Sequence, residues 1–216
     1  MSEADLYCSR PGVVGGASWA AGAYSPVTNK IYIPSITKPA VNKLIKEAKI
    51  FGSNRYIKNT LVRFAEGPQG LPLFKPPYGR LTAIDMTTGE HSWMRAIGKG
   101  PKNNPALKNL NITEDLGWAR RIFVLATPTL IFAAQEGLTK ITLATVNLNA
   151  PIFDVKNDEP FLRALDPETG EMVAELPIPQ NAFGSPMTYM VNGRQFILIP
   201  YGGANLDSGI MAFGLE

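Results

Sequence analysis

The sequence predicts an all-β fold, a partial β-propeller with a short helical insertion, and three observations lead there. Twenty glycines and eighteen prolines are spread over 216 residues without low-complexity runs, a composition that calls for many tight turns between short strands. Between those turns, apolar and polar residues alternate as they do in half-buried strands. A ten-residue stretch also occurs twice: Leu81-Thr-Ala-Ile-Asp85-Met-Thr-Thr-Gly-Glu90 returns 81 positions later (85 to 166) as Leu162-Arg-Ala-Leu-Asp166-Pro-Glu-Thr-Gly-Glu171, with six of ten positions identical. Such a repeat marks a structural unit used more than once. Radially repeated four-stranded sheets are one way for such units to protect their strand edges.

The elements follow in chain order. Ala23 to Ile33 reads as a hairpin with Asn29 at its turn. Pro39 to Phe51 places Val41, Leu44, Ile45 and Ala48 at helical spacing with lysines on the other face, which predicts a short amphipathic helix within an insertion over 38–63. Each copy of the repeat reads as strand, turn, strand. Asp85 or Asp166 can accept hydrogen bonds from backbone N–H groups of the turn, and Gly89 or Gly170 can take a positive φ that other residues resist. Both aspartates are therefore read as structural rather than catalytic. Trp93 closes the first copy and is expected to pack between neighbouring sheets, whereas the second copy has Ala174 there and should be less firmly anchored. Lys99 to Leu116, rich in Asn, Pro and Lys, reads as a long surface loop. Pro128 to Ala134 is an apolar strand, Met187 to Ile199 a hairpin turning at Asn192-Gly193, and Ile210 to Leu215 a closing strand. The chain is thus expected to form a single domain, 1–216, with blade-like units over about 16–97, 117–178 and 184–216, the last incomplete.

Composition narrows the function classes. The net charge of +3 and pI near 8.9 arise from scattered Lys and Arg, with no basic stripe of the kind nucleic acid requires. Cys8 is the only cysteine, so neither an internal disulfide nor a cysteine zinc site can form. His91 is also alone, on what reads as the outward face of a strand. No apolar stretch is long enough to span a bilayer, and the polar first residues lead to the expectation of no export signal within this sequence.

Five ordered segments together resemble the pyrroloquinoline-quinone-dependent dehydrogenases, the glucose, quinate and polyol branch above all and the alcohol and methanol enzymes more distantly. They are Gly15-Gly16-Ala-Ser18-Trp19 followed by Ala23-Tyr24-Ser25-Pro26 and Ile31-Tyr32-Ile33-Pro34; Gly79 to Trp93; Leu116-Gly117-Trp118 with Leu130-Ile131-Phe132; Phe161 to Glu171; and Gly184 to Tyr189 with Gly193 to Phe196, Gly202-Gly203 and Met211-Ala-Phe213.

The resemblance implies an eight-bladed propeller with pyrroloquinoline quinone and Ca2+ on its axis. It implies oxidation of an alcohol or sugar hydroxyl by hydride transfer to the quinone, and a periplasmic location. In the family, the catalytic aspartate, the calcium ligands, the basic residue beside the quinone and the tryptophan beneath it lie upstream of the segment matching Gly15-Gly16. No catalytic base and no metal ligand are therefore expected here. What carries over is axial pocket wall: Ser18 at the family's Asn position, Trp19 beside it, and Leu116, Gly117 and Trp118, where an indole replaces a glycine. On this reading the chain is the C-terminal sector of such an enzyme, inactive alone and completed by an N-terminal partner chain or by homo-oligomerisation. A non-catalytic protein-binding scaffold and an inactive remnant are the alternatives.

Overall fold

The computed structural model describes residues 6–12, 15–17, 22–46, 56–58, 63–64, 67–136, 160–203 and 207–214. Along the first half run β1 (Leu6–Ser9), β2 (Ala23–Ser25), β3 (Lys30–Ile36), β4 (Ala40–Lys46), β5 (Tyr56–Lys58), β6 (Arg63–Phe64), β7 (Gly79–Asp85) and β8 (His91–Ala96). Along the second run β9 (Ile122–Ala126), β10 (Ile131–Gln135), β11 (Phe161–Leu165), β12 (Met172–Pro177), β13 (Met187–Val191), β14 (Arg194–Tyr201) and β15 (Gly209–Gly214).

Three antiparallel sheets carry the architecture, ordered β2-β3-β7-β8, β9-β10-β11-β12 and β13-β14-β15. Tight turns set their registers. Asn29 (φ 49°) ends the loop that turns β2 into β3, and Asn192 (φ 50°) with Gly193 (φ 80°) turns β13 into β14 in the two-residue left-handed pattern that matches strand twist. The middle sheet is apolar on both faces because it is packed on both. Val124, Ile131, Ala133 and Leu165 meet Tyr32, Leu81, Ala83 and Trp93 of the first sheet. On the reverse face, Phe132, Ala134, Leu162 and Ala164 meet Ile197 and Ile199 of the third.

A fourth small sheet orders β1-β4-β5, with β6 also on β4. It corrects the helix expected over Pro39 to Phe51: residues 40–46 are the strand β4, and residues 47–51 lie outside the described residues. Helical spacing of Val41, Leu44 and Ile45 was a weak local preference. Pairing with β1 along Ala40–Lys43, with β6 at Ala40–Val41 and with β5 at Leu44–Lys46 supplies backbone partners that a lone amphipathic turn lacks. The loop expected over 99–116 contains no strand. Asn104 caps a short 3₁₀ turn at Pro105–Leu107 by accepting from the Ala106 N–H at 2.8 Å, and Lys102 pairs with Asp115 at 3.0 Å.

The two copies of the repeat fold alike. Asp85 Oδ1 accepts from the N–H groups of Thr87 (2.7 Å) and Thr88 (3.1 Å); Asp166 Oδ1 accepts from those of Glu168 and Thr169 (both 2.8 Å). Those donors, the Thr87 N–H foremost for Asp85 and the Thr169 N–H for Asp166, hold both carboxyls below their ordinary range. Gly89 and Gly170 adopt φ of 77° and 68°. The copies differ in what they touch. The second turn is clamped to the first sheet: Trp93 Nε1–H donates to the Pro167 carbonyl at 3.0 Å, Tyr32 Oη–H to the same oxygen at 3.2 Å, and Lys30 pairs with Glu168.

Substitution of the two turn glycines should separate backbone strain from packing. A methyl on Gly89 meets nothing within 4 Å, whereas one on Gly170 comes to 2.6 Å from Trp93 Cε3. Gly89→Ala should cost about 1–2 kcal/mol through positive φ alone. Gly170→Ala should cost clearly more, and Trp93→Ala about 3–5 kcal/mol, read from denaturant unfolding midpoints; equal costs for the two glycines would refute the docking.

Candidate functional site

At one end of the sheets, where β3 finishes and β7 and β9 begin, a seam of backbone joins the units. The Tyr78 N–H donates to the Leu116 carbonyl (2.8 Å), Gly117 to Gly98 (2.8 Å), Trp118 to Ile97 (3.1 Å) and Ile97 to Gly79 (2.9 Å). Gly79 and Gly117 touch backbone to backbone: a Cβ on Gly79 would fall on the Trp118 carbonyl, and one on Gly117, at φ 72°, on the Gly79 carbonyl. Glycine is required at both because no side chain fits that approach.

Leu116, Gly117 and Trp118, the expected cofactor wall, are therefore brought together as one buried joint. The Trp118 indole is 6% exposed and closes over Gly98, while the Arg120 guanidinium lies 5.3 Å from its ring centroid. Beneath it, the Gln135 amide, 2% exposed, donates to the Ile97 carbonyl at 3.0 Å. Ser18 and Trp19, the other two expected wall residues, lie outside the described residues. The seam continues to the third sheet. The Ala182 N–H donates to the Gln135 carbonyl and the Gly202 N–H to that of Asn181, both at 3.0 Å.

Two cations missed in the sequence reading adjoin this joint. Lys38, just beyond β3, has its amine lowered to about 8, first by burial and then by the nearby Arg120 guanidinium, with Glu136 opposing the shift. Arg121 pairs with Glu136 at 3.2 Å. Lys38 and Arg120 are eighty-two positions apart (38 to 120), and no local motif advertises either. The pairing of Arg120 with Trp118 in sequence was the one available signal.

Titratable clusters are otherwise sparse. Among the described residues no group of three or more His, Cys, Asp or Glu could hold a metal ion. His91 is exposed on β8, and Cys8 is exposed as well. No helix among the described residues is long and apolar enough to cross a membrane.

Comparison with known proteins fits this architecture. The model of the PQQ glucose/ethanol/alcohol dehydrogenase β-propeller domain matches residues 2–197. The quinate/shikimate dehydrogenase (quinone) of Acinetobacter baylyi is 26% identical over 98% of this chain and 27% of its own length. The quinoprotein glucose dehydrogenase of Escherichia coli is 26% identical over 89% of this chain and 24% of its own. The chain thus spans about a quarter of the curated relatives it matches. The crystal structure of quinohemoprotein alcohol dehydrogenase from Comamonas testosteroni superimposes with a TM-score of 0.56 at 20% identity, covering 92% of this chain and 24% of that one. An all-β array of antiparallel sheets, the repeated Asp-to-Gly turn and a family match over nearly the whole chain lead to one conclusion: the chain belongs to the PQQ-dependent dehydrogenase β-propeller family.

Proposed function

We propose that this chain is a sector of a quinoprotein propeller, with its three main sheets as blades, and that the complete assembly oxidises an alcohol or sugar hydroxyl, in the periplasm as the family resemblance implies. The observation that carries the sector reading is the outer face of β13-β14-β15. Register places Met187, Tyr189, Phe196, Leu198 and Ile210 on that face, away from Ile197 and Ile199, which pack on the middle sheet. Met187 is 51% and Ile210 69% exposed there. An apolar sheet face of this kind is what a neighbouring blade covers.

Bound pyrroloquinoline quinone would supply the hydride acceptor; the chain's own contribution is wall and charge. Ser18, Trp19, Leu116, Gly117 and Trp118 are proposed to line the axial pocket, with Lys38 and Arg120 biasing it toward a flat, carboxylate-bearing group. An indole with a guanidinium against its ring and an ammonium near that guanidinium fits such a molecule. Neither metal binding nor proton abstraction is assigned to the described residues, among which no group of three or more His, Cys, Asp or Glu comes together.

A chimera tests the reading. With this chain replacing the matching quarter of a quinoprotein glucose dehydrogenase, added pyrroloquinoline quinone and calcium should give a quinone absorbance shift and dye-linked sugar oxidation. Trp118→Ala should then weaken cofactor binding at least about tenfold, a loss of 1.4 kcal/mol. A folded chimera without the shift would favour a protein-binding scaffold, and dye-linked turnover by the 216-residue chain alone would refute its role as a wall without a base.

The Lys38 amine provides a second check through pH. Because folding lowers its pKa, protonation favours the unfolded chain. The penalty is complete below about 8 and disappears as pH approaches the ordinary 10.5. The urea midpoint should carry a stabilising contribution that grows across that interval and is absent in Lys38→Met; identical pH profiles for the two proteins would contradict it.

A further inference from the structure

We propose that a cavity bounded by Arg10, Lys75, Arg80 and Phe74, which shares no lining residue with the wall around Trp118, binds a small organic carboxylate. The cavity measures about 550 Å³ and opens beside the end of β3, where Gly16 accepts from the Ile36 N–H at 2.9 Å. Its described lining holds three cations and no carboxylate.

Two of those cations are held in place by neutral groups. Arg80 Nη1 donates to Thr37 Oγ1 at 2.8 Å and to the Pro77 carbonyl at 3.0 Å, which fixes the guanidinium plane. Among the described residues no acceptor meets its Nε or Nη2. That pair of donors matches the two oxygens of a carboxylate. Arg10 is steadied by stacking, its guanidinium 4.7 Å from the Phe74 ring centroid. Guanidinium and ammonium groups lining one cavity repel each other, and an anion between them turns that repulsion into attraction.

The walls decide which anion. Phe74, Pro76, Pro77 and Ile36 are apolar, and a bare phosphate would leave that surface in contact with water. An acid with a compact carbon body places its charge on the arginines and its body against the ring and prolines. Neutral molecules forgo the charge pairing, and cations are repelled.

Calorimetric titration of the full chain with benzoate, benzamide and inorganic phosphate at low salt tests this without quinone or calcium, so its result is independent of the dehydrogenase reading. Benzoate should bind, with benzamide and phosphate each at least about tenfold weaker, and added NaCl should weaken benzoate. Arg10→Gln and Arg80→Gln should each lower benzoate affinity about tenfold, with amide shifts in the parent protein centred on Thr37 and Phe74. Arg10 is exposed, so its variant carries the test if circular dichroism shows Arg80→Gln misfolded. Absence of benzoate binding, equal binding of the amide or of phosphate, or unchanged affinity in Arg10→Gln would overturn the proposal.

Discussion

The structure depends on one docking interaction, the turn of the second repeat against the side chains of the first sheet. The Pro167 carbonyl receives both the Trp93 indole N–H and the Tyr32 hydroxyl, and Trp93 lies against Gly170 with only 9% of its surface exposed. A large aromatic surface is thereby buried while its polar atom remains satisfied. Because the turn is itself held by Asp166 and Gly170, the clamp joins two locally determined objects. The angle and spacing between the first and second sheets follow from how a rigid turn meets a rigid indole.

The second and third sheets meet differently. Ala174, the counterpart of Trp93, is part-buried against the cluster around Ile197 and Ile199, and no indole clamp is present at that position. Aliphatic packing holds this junction, helped by Ala182, which bridges to Glu136 and Tyr201. Such contacts are less directional than an indole hydrogen bond seated on a turn.

The proposed pocket wall lies at the opposite ends of the strands from the repeat turns. There the chain runs glycine against glycine, so that Gly79 and Gly117 bring the first sheet and the approach to β9 into backbone contact. Close approach leaves room beside it for a large side chain, and Trp118 takes it. Cations collect around the same rim: Arg120 by the indole, Lys38 near Arg120, and Arg80 near the end of β3. The small net charge of +3 conceals this concentration, because composition sums charges without regard to where folding brings them.

The repeated Asp-to-Gly turns, the Asn29 and Asn192-Gly193 hairpins and the apolar strands could all be read from the sequence, because each rests on interactions within about ten residues. Trp93 as an inter-sheet anchor was also legible, since an indole at the end of an exposed repeat needs somewhere to go. The strand at Ala40–Lys46 was not: its residues satisfy helical spacing, and only pairing with β1, β5 and β6 decides the matter. Nor were the closeness of Lys38 to Arg120 or the basic cavity at Arg10 and Arg80 legible, because each joins residues dozens of positions apart. Local turn chemistry and hydrophobic alternation determined the strands and their repeat; tertiary packing alone decided which charges share a cavity, since electrostatic neighbours depend on distance in space and not along the chain.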